Sequence, residues 1–411
     1  MNETNMNKTF QIQIKVALLF FVISALYGWG LRLYRVVDFI PIDYKNILQA
    51  HSHVTFLGWG FLAVISIIGF VYYPKRLENS KLLKRLFWIL SFMLLGMLIS
   101  FPLQGYKAFS IAFLSVFLIV SYVYLFQIFK ELKKLKTISV KFIRTGILYY
   151  ILSSIAIWAI AFIAIKIGKG DLYHNAIYFY LHFLYNGFFV FVLFGLYLKY
   201  LENKQIIVSS KQINFFYLFT NLACIPAYAL SLLWSDVPGF VYFIGFGAGL
   251  LQVISLFYLY PIAKKYLKNN LSKQVKFISL FVLFSYFLKI TMQLFSSFPS
   301  VIKSVVQLKS YFVIGYIHLF TLGFMSLFLI LFLILFTKTK INKLGVMLFI
   351  IGILYSEILL FAQGVLLYQF TYIIPYFDIN ILIFSGFMPF GLLVVLLLNK
   401  NYSSTNSPSR E

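Results

Sequence analysis

Cysteine is almost missing from this chain: Cys224 is the single one in 411 residues, inside an apolar run, so there is no disulfide framework and no CxxC pair for thiol chemistry. Charge is scarce as well, at 11% of residues against the roughly 25% of a soluble domain. What charge there is leans to one sign, with 35 Lys and Arg against 11 Asp and Glu. The resulting net charge of +24 would suit nucleic acid if it were clustered, but the basic residues concentrate in alternate loops, where membrane topology accounts for them. Nucleic acid is therefore not an expected partner. No run of polar residues is long enough for a soluble domain, and there are none of the ~10-residue alternating segments of a transmembrane barrel. The amino terminus is polar for about 14 residues, and the run after it is long enough to span and lacks a small-residue cleavage site, so no cleavable signal is expected. No internal repeat aligns by inspection.

Apolar length is what the chain has, with 62% hydrophobic and 20% aromatic residues. Twelve runs stand out, at about 15–34, 47–73, 86–104, 107–129, 142–166, 174–200, 213–234, 238–261, 276–296, 309–336, 343–367 and 379–398. Each is near the ~20 residues that a helix needs to cross a hydrocarbon core. The loop after the second run carries Lys75, Arg76, Lys81, Lys84 and Arg85. Those after the fourth, eighth and tenth are equally basic, for example Lys133 and Lys134, Lys264 and Lys265, and Lys338 and Lys340. Odd-numbered connections are poor in positive charge. The expectation is an all-α polytopic membrane bundle of about 12 transmembrane helices with both termini cytoplasmic. It forms one domain over residues 1–402, surrounded by membrane lipid, with a disordered cytoplasmic tail over 403–411.

Histidine is rare, and its placement is not random. Of the five, His51, His53, His182 and His318 lie inside runs two, six and ten, and His174 stands at the outer mouth of run six. Those three runs all begin outside and head inward, which puts His51 and His53 ~5 to 8 Å below the outer edge, His182 ~11 Å and His318 ~13 Å. Imidazole in hydrocarbon must be paired or ligated, so one shared layer points to a metal or haem site in the outer half of the bilayer. His51 and His53 point about 200° apart on a regular helix, so one faces the bundle and the other a neighbour or the outer surface. Gly58 and Gly60 lie below them on the same faces, leaving room for a flat macrocycle or for a close helix crossing. Tyr178 and Asn186 flank His182 by one turn on each side, as partners that would fix its tautomer for metal binding. Gly315, Thr321 and Leu322 share the face of His318. His174, beside Asp171, reads as a loop residue. The alternative is that these histidines simply hydrogen-bond across helices.

Two more charges lie deep in apolar runs: Lys289 in the ninth and Glu357 in the eleventh, each ~20 Å from the cytoplasmic start. At matched depth they are expected to pair, because an unpaired charge there is expensive. Arg32 and Arg35, at the outer end of run one, are candidates for carboxylate groups of a cofactor, and also ordinary snorkelling residues.

Histidines on spans two, six and ten of a twelve-span bundle resemble the catalytic subunit of haem–copper oxidases and nitric oxide reductases. The NnrS proteins, membrane haem proteins of nitrosative-stress responses, are similar in size. The resemblance implies a haem b held by His51 or His53 together with His318, with Arg32 and Arg35 at its propionates and copper or iron at His182. It also implies a redox donor protein or quinol as partner, and a bacterial cytoplasmic membrane location. The chain departs from the pattern at three places. Span seven offers Asn221 and Cys224 instead of a histidine pair, span ten has one histidine where the oxidases have two, and Asn186 stands where the span-six tyrosine would be. One haem, or one haem with a weak metal site, is expected, acting in electron transfer or in nitric oxide or oxygen handling without oxidase-type oxygen reduction. With no CxxCH string the haem would not be c-type. The competing functions are a transporter whose path is lined by Lys289, Glu357 and the histidines, and a structural assembly subunit.

Overall fold

The computed structural model describes residues 7–37, 40–337 and 341–398. Lys338, Lys340 and the tail 403–411 lie outside the described residues. Among those described, all regular structure is helical. Eleven helices are long and apolar enough to cross a membrane: α1 Lys8–Leu33, α2 Tyr44–Tyr72, α3 Lys81–Gln104, α4 Ala108–Leu132, α5 Ile138–Lys166, α6 Asp171–Asn203, α8 Gly239–Leu267, α9 Lys273–Phe295, α10 Lys309–Thr337, α11 Lys343–Phe370 and α12 Phe377–Leu398. Between α6 and α8 a bent pair takes the place of α7, with Ser210–Cys224 meeting Pro226–Leu232 at 42°. Pro226 supplies no N–H to continue the α-helix, and the chain tightens there into a 3₁₀ turn. The protein is a multi-pass membrane helical bundle. Its large exposed side chains fit that setting: Phe92, Phe162, Phe243 and Phe257 stand bare on the outer faces of long helices, where water would penalise them and lipid does not.

Three helices form the centre. In their most apolar stretches α2, α6 and α10 are 100%, 89% and 78% buried, against at most 50% in every other long helix. A helix that is apolar all round belongs inside, and these three touch one another while the rest surround them. Each central helix changes its winding at the same place. The α-helix of α2 ends at His53 and becomes π-helical over Val54–Phe61, α6 does so after His182 over Phe183–Phe189, and α10 after His318 over Leu319–Ser326. Side-chain hydroxyls attend the altered turns: Thr55 donates to the His51 carbonyl (2.7 Å) and Ser326 to the Thr321 carbonyl (2.6 Å). Ser326 also accepts from Trp59 Nε1 at 2.9 Å, tying α2 to α10.

The winding exposes an internal triplication that inspection of the sequence does not reveal. Each π-helical stretch follows a histidine and carries a glycine five residues on, namely Gly58, Gly187 and Gly323. A Cβ on these glycines would meet Phe20 Cβ at 3.0 Å, Tyr149 Cβ at 2.6 Å and Ser285 Oγ at 2.7 Å, each on the helix preceding its central helix and each thirty-eight residues earlier. The chain is thus three four-helix units, α1–α4, α5–α8 and α9–α12. In each, the first helix packs on the π-helical stretch and the last two form a hairpin. The ring of units closes where α12 packs on α1.

Candidate functional site

The triplication sorts the histidines. His53, His182 and His318 are equivalent positions of the three units, and His51 is an addition to the first, matched by Tyr180 and Tyr316 in the others. Their surroundings differ completely.

His53 turns toward α3. Its Nδ1 donates to the Gln49 carbonyl (2.9 Å), its Nε2 is met by Tyr106 Oη at 3.0 Å, and its ring stacks on Phe101 at 4.7 Å. His182, expected to hold copper or iron, is fully buried with both ring nitrogens engaged inside the protein. Nε2 donates to the Cys224 carbonyl (2.8 Å), and Nδ1 accepts from Asn186 Nδ2 (3.2 Å). His174 sits at the start of α6 with its ring edge on Trp234. Among the described residues no group of three His, Cys, Asp or Glu side chains is arranged to hold a metal ion.

His51 and His318 meet across one cavity of about 620 Å³ between α1, α2, α10, α11 and α12. The volume is in the range of a ligand or cofactor site. Its wall also includes Arg32, Arg35, Gly28, Trp29 and Phe349. Thus four of the five residues expected to hold a cofactor, His51, His318, Arg32 and Arg35, are brought together, and His53 is turned away.

The local chemistry of His51 is well defined. Its Nδ1 lies 2.8 Å from the Ser24 carbonyl oxygen, which can only accept, so Nδ1 carries the proton and Nε2 the lone pair. Among the described residues no group bonds that Nε2. The Ser24 hydroxyl bridges to Thr55 Oγ1 and the His51 carbonyl, locking α1 to the turn that carries the imidazole. Gly28 completes the seat: a Cβ there would stand 2.7 Å from His51 Cε1, so only glycine lets the ring lie flat against α1.

His318 faces a carboxylate. Its Nδ1 is 3.5 Å from Glu357 Oε1, and neither that nitrogen nor either Glu357 oxygen has a hydrogen bond of good geometry elsewhere. Arg32, buried at 8% exposure, is within electrostatic reach of Glu357 and of both cavity histidines, and no carboxylate of the described residues lies within 4 Å of it. Arg35 is anchored at the rim by Asp378 (2.8 Å) and stands over the Tyr311 and Phe377 rings. The expected pairing of Lys289 with Glu357 does not form. Glu357 faces His318, whereas Lys289 lies buried against Tyr286, near Cys224 and His182, with no carboxylate of the described residues within 4 Å. In the triplication Lys289 is the counterpart of Ser24. It substitutes a cation where unit one has the group that seats His51.

Sequence reasoning missed Ser24, Gly28 and the orientation of Glu357 toward His318. The His-to-Gly spacing that recurs in α2, α6 and α10 was the available signal for the register. Compared with protein-family models and with curated proteins, the chain matches none.

Proposed function

We propose that this chain is a haem-binding integral membrane protein, in which His51 and His318 would hold a b-type haem and Arg32 and Arg35 would neutralise its propionates. The observation that carries the reading is the convergence of His51 and His318, from helices far apart in sequence, on one cavity that also receives Arg32. The residues present fit such a group. His51 offers an Nε2 that no described residue bonds and whose tautomer is fixed from behind, Arg32 is a buried cation with no carboxylate of the described residues within 4 Å, and Glu357 stands behind the second imidazole. Imidazoles from two helices are a recognised way of holding a b-type haem, and such a haem supplies one-electron transfer. The chain's own part is to orient the two imidazoles, to neutralise anionic groups with Arg32 and Arg35, and to exclude water with the apolar wall around Phe349 and Trp29.

In this proposal the protein is a degenerate relative of the haem–copper oxidase and NnrS group, in a bacterial cytoplasmic membrane. It has twelve spans, both ends inside, and a redox protein or quinol as electron donor. His182, satisfied by Cys224 and Asn186, is outside the haem set. The test is the absorption spectrum of the purified protein. A Soret band with a reduced alpha band of a bis-imidazole haem is expected; a spectrum with neither, after expression with ample haem, refutes the proposal. Reporter fusions at both ends test the topology, which fails if either reports from the outside.

A further inference from the structure

Three buried polar atoms without good hydrogen bonds of their own meet at one point: His318 Nδ1 and the two oxygens of Glu357. Glu357 is 7% exposed, and both of its oxygens are closed off from the surface. Unpaired polar atoms in an apolar core are costly, and three at one locus that complement each other as donor and acceptor are more economically explained as partners. The backbone is shaped for their approach. Gly315, one turn before His318, leaves open the place where its Cβ would stand 3.2 Å from Glu357 Oε2, letting the carboxylate come alongside α10. His51 on the opposite wall has a neutral partner, the Ser24 carbonyl.

Resting on the haem reading above, we infer that Glu357 is the positioning residue of His318: its carboxylate accepts Nδ1–H, turns Nε2 to the cavity, and makes His318 the stronger donor of the two imidazoles. A carboxylate behind a ligating imidazole raises its basicity and fixes its tautomer, more than a carbonyl does. Stronger donation from His318 would favour the oxidised state of a bound haem. Glu357 therefore holds the midpoint potential down. The cavity is asymmetric, with one carbonyl-backed and one carboxylate-backed ligand.

The experiment is a spectroelectrochemical titration of the purified wild type, Glu357→Gln and Asp378→Asn. The last removes a carboxylate from the neighbourhood of Arg32 without touching His318. The Glu357→Gln protein is expected to keep its Soret band and to rise in potential by at least about 59 mV, tenfold in a one-electron equilibrium, with a smaller rise for Asp378→Asn. An unchanged potential in Glu357→Gln, or an equal shift in both variants, overturns the inference while leaving the haem reading intact. A wild type without haem removes both. Should Glu357→Gln fail to fold, electron paramagnetic resonance of the oxidised wild type decides. A carboxylate-backed imidazole strengthens the axial field and narrows the spread of g values, and the wide spread of two neutral imidazoles would overturn the inference.

Discussion

A histidine in an apolar core has two nitrogens to satisfy, and His51, His53, His182 and His318 divide on that point. His53 and His182 spend both on the protein, whereas His51 spends one and His318 has only the long contact to Glu357. Replacing His51 or His318 by alanine is therefore expected to abolish the haem spectrum. Replacing His53 or His182 should leave most of it and cost stability instead, read as pigment per protein and as melting temperature. Gly28→Val should act like a loss of His51, because the added carbons occupy the ring's seat, and a full Soret band in that variant would refute the seating argument. Lys289 carries the opposite expectation. With no carboxylate of the described residues within 4 Å, it is a desolvated cation whose replacement by methionine removes a penalty and should stabilise the protein by about 1–2 kcal/mol in detergent melts. A drop in melting temperature would mean that Lys289 has a partner of its own.

At the scale of helices, hydropathy located the eleven long apolar helices and the bent pair, and misplaced most of their amino-terminal ends. α1 begins at Lys8 because Asn7 accepts from the Phe10 N–H, and α2 begins at Tyr44 because Asp43 accepts from Lys45 and Asn46. These polar first turns lie ahead of the apolar run, so hydropathy counts hydrocarbon, not helix. The change to π-helical winding was invisible for a related reason: one extra residue in a turn alters no side chain's polarity. Its cost and support are testable in Gly187→Ala, whose new Cβ would lie 2.6 Å from Tyr149 Cβ and 2.7 Å from its Cγ. Overpacking there should destabilise by about 1–3 kcal/mol without any effect specific to the cavity. Equal melting of the variant and the wild type would show that α5 can give way.

For the whole molecule, the bundle and the layer of histidines were legible, and the triplication was not. What repeats is the position of a histidine and a glycine, while the apolar residues between them change freely, since lipid and core accept any of several apolar side chains. The identity of the cavity was half legible. Depth placed His51 and His318 in one layer, but depth says nothing of rotation about the bundle axis, which separates them from His182. Matched depth misled for Lys289 and Glu357, because α10 and its neighbours direct the two charges into different surroundings. The closed ring carries a prediction of its own. With α12 packed on α1, the first and last described helices are neighbours, so a permuted chain opened in the 133–137 loop, with the end of α12 linked to the start of α1, should assemble as the same bundle. It should be monodisperse, with the same Soret band as the natural order; aggregation of this chain alone would show that the order of units matters for insertion.

The two cavity imidazoles are backed by different parts of the molecule, His51 by a main-chain oxygen and His318 by a side chain. A carbonyl is supplied by whatever residue occupies position 24, so no single codon change can withdraw it. The group behind His318 is written in one codon, at position 357. The group behind His51 is thereby insulated from side-chain substitution, and the group behind His318 is a dial that one nucleotide can turn.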